Sequence, residues 1–148
     1  MFQKIIVGVD GSEAANKALK VACDLTKKYG AVLHVVNAPR EETSALVAAG
    51  YGGYGAVTAE PLDAHFKEVG QRVIEAATDL AKSEGVSDVE SHIVLTSPAE
   101  AITELANEVG ADLIITGRRG LGNIASLFLG STSLQVVKSA DCACLTIR

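Results

Sequence analysis

The sequence predicts an α/β protein: a doubly wound, five-stranded parallel sheet with helices on both faces. Two observations predict it. Short apolar runs alternate with segments of helical periodicity along all 148 residues, the pattern of a parallel sheet whose crossovers are helices. Two of those runs, Ile5-Ile6-Val7-Gly8-Val9 and Ala31 to Val36, are apolar throughout, as strands buried on both faces are. The length suits one domain, residues 1–148, with enough chain for a sizeable core.

The first apolar run stops at Asp10-Gly11-Ser12, a turn, and Asp10 and Glu13 have the spacing of a capping box. Ala15, Ala18, Ala22, Leu25 and Tyr29 recur at helical spacing, and Gly30 is a helix stop. With the strand from Ala31 to Val36 this completes a βαβ unit, right-handed almost without exception. Pro39 to Pro61 breaks the pattern around Tyr51-Gly52-Gly53-Tyr54-Gly55. A segment of that kind is either a surface insertion or a flap over a ligand. Leu62, Phe66, Val69, Val73, Ala77 and Leu80 then mark a long amphipathic helix that ends at Gly85.

Val89 to Leu95 alternates, with Glu90 and His92 opposite Val89, Ile93 and Leu95, which suits an edge strand with one wet face. Ser97-Pro98-Ala99-Glu100 starts the next helix: a Ser cap, Pro at the first position, Glu three residues after the cap. Ile102, Leu105 and Val109 form its buried stripe, Gly110 ends it, and Asp112 to Ile115 is the fourth strand. Thr132 and Gln135 have capping-box spacing for the last helix, and Ala143 to Ile147 is the last strand.

The bulk numbers narrow the function. The formal charge is −5 and no basic cluster offsets it, which argues against nucleic acid as a main partner. No segment reaches the roughly 18 apolar residues of a membrane span. Met1-Phe2-Gln3-Lys4 leads straight into a strand without a signal-peptide pattern, and three cysteines cannot all pair. Both features fit the cytoplasm.

The most informative stretch is Gly117-Arg118-Arg119-Gly120, followed after nine residues by Gly130-Ser131-Thr132. It lies between an apolar strand and a helix start. Glycines admit close approach of a ligand to the main chain, and N–H groups of such a loop and helix start can point at an anion. The stretch reads as a phosphate cradle for a nucleotide. It lacks the Gly-Lys-Ser/Thr of a P-loop. Gly120-Leu121-Gly122-Asn123-Ile124-Ala125 matches the dinucleotide fingerprint, but only one strand remains after it, and Asp141 precedes that strand instead of an acid ending it. In doubly wound sheets ligands bind beyond the carboxyl ends of the strands, where strand order reverses. Asp10 and the Gly117 loop both lie just past strand ends and meet there if strands one and four are neighbours.

The spacing Gly117-x2-Gly120-x9-Gly130-Ser131, with Ile5 to Asp10, Leu33-His34-Val35-Val36, Leu129 and Cys142, closely resembles the ATP-binding branch of the universal stress protein family. The likeness covers the whole chain. It implies strand order 3-2-1-4-5, a homodimer joined through the strand 143–147, and ATP, or AMP or ADP, in the crevice. Carried over residue by residue, it implies that Val35 contacts adenine through its main chain. Asp10 would sit by the ribose and the phosphate–metal region, with Mg²⁺ as the cation between the carboxylate and a triphosphate. Gly117, Gly120, Gly130, Ser131 and Thr132 would cradle phosphates. Gly8, Val9, Thr116 and Arg118 complete the candidate nucleotide site. Two positions depart from the family pattern: Arg118-Arg119 replaces Ser followed by Arg or His, and Ala143-Cys144 stands where Pro-Val is usual.

The resemblance implies a stress-response or regulatory binding module. The alternative on the same pocket is a slow ATP-hydrolysing or phosphotransfer enzyme, although no water-activating base stands beside the glycine loop. A third reading is a nucleotide-free dimeric interaction protein, against which the intact glycine motif argues. His34, His65 and His92 are far apart in sequence, without metal-ligand spacing, and read as structural or solvent-facing. Cys142 and Cys144 share one strand face and read as buried, unreactive thiols.

Overall fold

The first strand, β1 (Lys4–Gly8), sits in the middle of the sheet, and the chain winds away from it in two directions. A computed structural model describes residues 1–40, 62–120 and 129–148; the glycine-rich part of the 39–61 segment and the fingerprint residues 121–125 lie outside these. The elements follow in the order β1, α1 (Glu13–Tyr29), β2 (Val32–Asn37), α2 (Leu62–Ser83), β3 (Val89–Ile93), α3 (Pro98–Val109), β4 (Leu113–Gly117), α4 (Ser131–Ser139) and β5 (Ala143–Ile147). The sheet order is β3-β2-β1-β4-β5, and all four pairings are parallel. Strand order therefore reverses between β1 and β4.

The apolar runs explain the two layers. Ile5, Val7, Leu33, Val35, Leu113 and Ile115 face α1 and α2, in one core with Ala18, Leu19, Val69 and Val73. The alternate residues Ile6, Val36 and Ile114 face α3 and α4, in a second core with Ile102, Leu105 and Val136. A strand that feeds a core on each side has no polar face, hence the unbroken apolar sequence.

Most helix ends are where the sequence puts them. Gly30 and Gly110 cap α1 and α3 in the left-handed region, at φ 65° and 66°, which a residue without Cβ adopts without strain. Ser97 caps α3 with Pro98 at its first position. Two caps differ from expectation. Ser12, not Asp10, is the N-cap of α1; its side chain accepts from the Ala15 N–H at 3.1 Å. Gly130 rather than Thr132 is the N-cap of α4, which starts at Ser131 without a side-chain cap bond. In both cases the helix begins one turn position away from the residue whose capping-box spacing is satisfied by chance. β3 ends at Ile93, so Leu95, expected on its inner face, lies beyond the strand and is exposed.

Candidate functional site

The carboxyl ends of β1 and β4 open onto one crevice, and residues from three connections meet in it. On the β1 side, Val9 leaves the strand with its N–H still bound to the Val36 carbonyl at 2.9 Å. The buried Asn37 side chain donates to the Val9 carbonyl at 2.7 Å and locks the ends of β1 and β2 together. Asp10 follows, partly exposed; its Oδ1 accepts from the Ser12 N–H at 2.9 Å. That bond closes a tight side-chain turn before α1 and leaves Oδ2 directed elsewhere.

On the β4 side, Thr116 is buried and Gly117 ends the strand. A Cβ at Gly117 would lie 2.8 Å from the main-chain carbon of Ala14. Glycine is required there so that the first turn of α1 can pack on the end of β4. Arg118 is half-buried and Arg119 exposed. The Gly130 N–H donates to the Arg118 carbonyl at 2.8 Å, and the Ser133 hydroxyl donates to the Gly117 carbonyl at 2.7 Å. These two bonds bring the start of α4 back onto the end of β4. A Cβ at Gly130 would lie 3.1 Å from the Arg118 carbonyl oxygen and 3.4 Å from Arg119 Cα.

The two sides touch at one point. A Cβ at Gly120 would come within 2.5 Å of Asp10 Oδ2. The glycine loop thus passes directly over the oxygen that the turn leaves uncommitted. α4 begins with a glycine cap and has no side-chain cap bond among the described residues, and the first N–H groups of a helix have no intrahelical partner. Together these features offer main-chain donors and one carboxylate oxygen around a crevice at the topological switch point.

The model of the universal stress protein family matches residues 1–148. The chain belongs to the universal stress protein family. It is 32% identical over 152 residues to a protein of Staphylococcus aureus (strain USA300) named "Putative universal stress protein", covering 99% of this chain and 84% of that one. Among solved structures, a universal stress protein in complex with cAMP is 27% identical with a TM-score of 0.74, over 99% of this chain and 97% of that chain. A universal stress protein of Archaeoglobus fulgidus in complex with dAMP has a TM-score of 0.68 at 21% identity, over 99% and 98% of the two chains, a likeness of fold.

Within this universal stress protein fold, the expected site residues are distributed unevenly. Gly8, Val9, Asp10, Thr116, Gly117, Arg118, Gly120, Gly130, Ser131 and Thr132 all fall at the ends of β1 and β4, in the glycine loop or at the start of α4. Gly8 also has a packing role, since a Cβ there would lie 2.7 Å from the tip of Ile102. Val35 stands apart. It is fully buried within β2, opposite Val7 and Ser91. The Asn37 carbonyl accepts from the Val94 N–H, and strand alternation then turns the main-chain groups of Val35 into the β2–β3 ladder as well. Val35 lies inside the sheet, on the strand next to β1.

Three features escaped the sequence reading. Asn37 carries the weak signal of a polar residue closing an apolar strand, and Ser133 that of a third hydroxyl in the Ser131-Thr132-Ser133 run. The third omission is a juxtaposition. His34 and His92, expected to be apart, stand on neighbouring strands with Nδ1 and Nε2 3.3 Å from each other, and Glu90 Oε2 lies 3.4 Å from the same Nδ1. Burial lowers the pKa of His34 below its ordinary 6.5, against the opposing pull of Glu90. Cys142 and Cys144, expected to be buried, are half-buried; desolvation still raises both thiols, and it lifts the buried Cys23 to about 11.

Proposed function

We propose that this universal stress protein binds ATP, or AMP or ADP, in the crevice between the ends of β1 and β4, as a stress-response or regulatory binding module of the cytoplasm. The observation that carries the reading is the apposition of Asp10 Oδ2 and the Gly120 main chain. It creates a place where phosphate can reach main-chain donors with a carboxylate alongside. The cAMP complex of a relative supports an adenine nucleotide as the ligand class.

In this reading Gly130, Ser131 and Thr132 offer N–H groups to phosphate, and Arg118 supplies positive charge at the rim. Gly8, Val9 and Thr116 form the floor, and Gly117 and Gly120 let the loop lie flat. Mg²⁺ suits Asp10, whose Oδ2 is not engaged in the turn: this ion is commonly held by one or two carboxylates together with substrate phosphates. When bound it would screen the carboxylate from the triphosphate.

Homodimerisation through β5 belongs to the same proposal. β5 is a sheet edge, and Leu134, Val137 and Leu145 are 43%, 49% and 36% exposed around it. An apolar edge strand of this kind invites a second copy related by a twofold axis.

The test is to identify, by chromatography and mass spectrometry, the nucleotide that accompanies the protein purified without added ligand, and to titrate the stripped protein with ATP, GTP and NAD. Retention or binding of adenine nucleotide in preference to the others supports the proposal. Equal or absent binding contradicts it. Release of phosphate from radiolabelled ATP at a sustained rate would replace the module by the slow enzyme.

A further inference from the structure

The β2–β3 edge of the sheet carries a second constellation, remote in sequence from the glycine loop. His34 and Glu90 are directly opposed in the parallel ladder, and His92 follows on the same face of β3, opposite Val36. Each contributes one ligand atom, and the three atoms lie within 4.8 Å of one another. Two of the separations are 3.3 Å, His34 Nδ1 to His92 Nε2, and 3.4 Å, His34 Nδ1 to Glu90 Oε2.

These lengths are long for hydrogen bonds, which for N–H donors cluster at about 2.7–3.2 Å. They match another geometry. Zinc binds imidazole nitrogen at about 2.0–2.1 Å and carboxylate oxygen at about 2.0–2.2 Å, so tetrahedral ligands stand about 3.3–3.5 Å apart. His34 Nδ1 is thus at tetrahedral-edge distance from both of its neighbours. The chemistry of the donors agrees. Two imidazoles and a carboxylate converge, and His34 Nδ1 has at most one proton to share between two acceptors. Imidazole with carboxylate suits zinc and its first-row neighbours rather than Ca²⁺ or Mg²⁺.

The surroundings are preorganised. His34 is 3% exposed and is fixed by its place in a central stretch of strand. Glu90 is largely exposed and His92 partly so, which opens the fourth tetrahedral position to water. His34 Nε2 is buried without a partner among the described residues. That condition holds in either neutral tautomer, so an ion on Nδ1 adds no new buried polar group.

We propose that His34, Glu90 and His92 form a zinc site of two imidazoles, one carboxylate and a water, which pins the edge strand β3 to β2. The site shares no residue with the proposed nucleotide crevice and stands or falls independently of it.

The experiment uses the full chain, stripped of metal and nucleotide, titrated with Zn²⁺ by calorimetry and with Co²⁺ by visible absorption. The expected result is one equivalent of zinc and the intense bands of tetrahedral cobalt, without a sulfur charge-transfer band. Glu90→Gln should weaken zinc at least tenfold. His92→Ala should abolish the stoichiometric binding and the cobalt spectrum. His92 is partly exposed, and circular dichroism verifies that the variant is folded. A Cys142→Ser, Cys144→Ser double variant should bind zinc as the parent does. Absence of zinc binding by the parent, octahedral cobalt bands, or an unchanged affinity in folded His92→Ala each overturns the site.

Discussion

Asp10 and Gly120, 110 positions apart in the chain, are in contact: one oxygen of the Asp10 carboxylate is held by the Ser12 N–H, and the other would lie 2.5 Å from a Cβ on Gly120. This contact joins the β1 turn to the β4 loop across the point where strand order reverses. It gives Asp10 two separable roles, a turn bond through Oδ1 and a ligand-facing oxygen through Oδ2. Asp10→Ala removes both. The loss of the turn bond should cost about 0.5–1.5 kcal/mol of stability. Binding should weaken more for Mg-ATP than for AMP, because a carboxylate beside a triphosphate requires a cation between them. Calorimetry of the two ligands measures the difference. Equal losses would assign Asp10 to the turn alone.

Gly117 has a structural duty that the glycine pattern conceals. Its Cβ would lie 2.8 Å from the Ala14 main chain, an overlap that rotamer change cannot relieve. Gly117→Ala should shift α1 away from the end of β4 and cost about 1–3 kcal/mol, the usual range for overpacking. Urea unfolding reads it directly. A variant as stable as the parent would show that α1 adjusts without cost.

The dimer proposal has a sharp main-chain test. Arg118 donates to the Ile147 carbonyl, and Ile115 is opposite Leu145. Alternation along β5 therefore turns the main-chain groups of Leu145 toward β4 and those of Cys144 and Thr146 outward. Proline at Leu145 would break the sheet itself. Thr146→Pro removes an outward donor and is tolerated at an edge. Light scattering should find the parent dimeric and folded Thr146→Pro monomeric. A monomeric parent, or a folded dimeric variant, contradicts an interface through β5.

Acid stability should depend on Asp112. Its Oδ2 accepts from the N–H groups of Gln3, at 2.7 Å, and Lys4, at 3.0 Å, and these bonds hold its pKa below the ordinary 3.8. The unfolded chain then takes up the proton at higher pH than the folded one. The contribution is complete above 3.8 and is lost as pH falls through the depressed folded value. Asp112→Asn should be less stable than the parent near neutrality, and the gap should narrow below about pH 4. A gap that stays constant down to about pH 3 would contradict the assignment.

Much of this fold is legible because local signals and tertiary packing agree. Ser97-Pro98, Gly30 and Gly110 mark helix ends by chemistry that acts within a few residues, and the unbroken apolar runs of β1 and β2 report burial on two faces. The failures share a cause. Asp10 and Thr132 have capping-box spacing, but the chain direction entering each helix selects Ser12 and Gly130. The approach of His34 to His92, 58 positions apart, is set by strand order and register, and no sequence spacing encodes it. The crevice itself was readable as two strand-end motifs; that Asp10 and Gly120 touch follows only once β1 and β4 are neighbours.

The central claim is that the glycine loop and the start of α4 receive phosphate on their main chain. Gly130 tests it most directly: it caps α4 at φ −65° and ψ 154°, a conformation open to any residue, and a Cβ there crowds the loop main chain at 3.1 Å from the Arg118 carbonyl oxygen, so the fold of the variant is checked first. The measurement is calorimetric titration of ATP, with Mg²⁺, into the parent and into Gly130→Glu after both are shown to be folded. The account predicts saturable one-to-one binding by the parent and at least a tenfold loss, about 1.4 kcal/mol or more, in the variant. Undiminished ATP affinity in folded Gly130→Glu, or no binding by the parent, would contradict it.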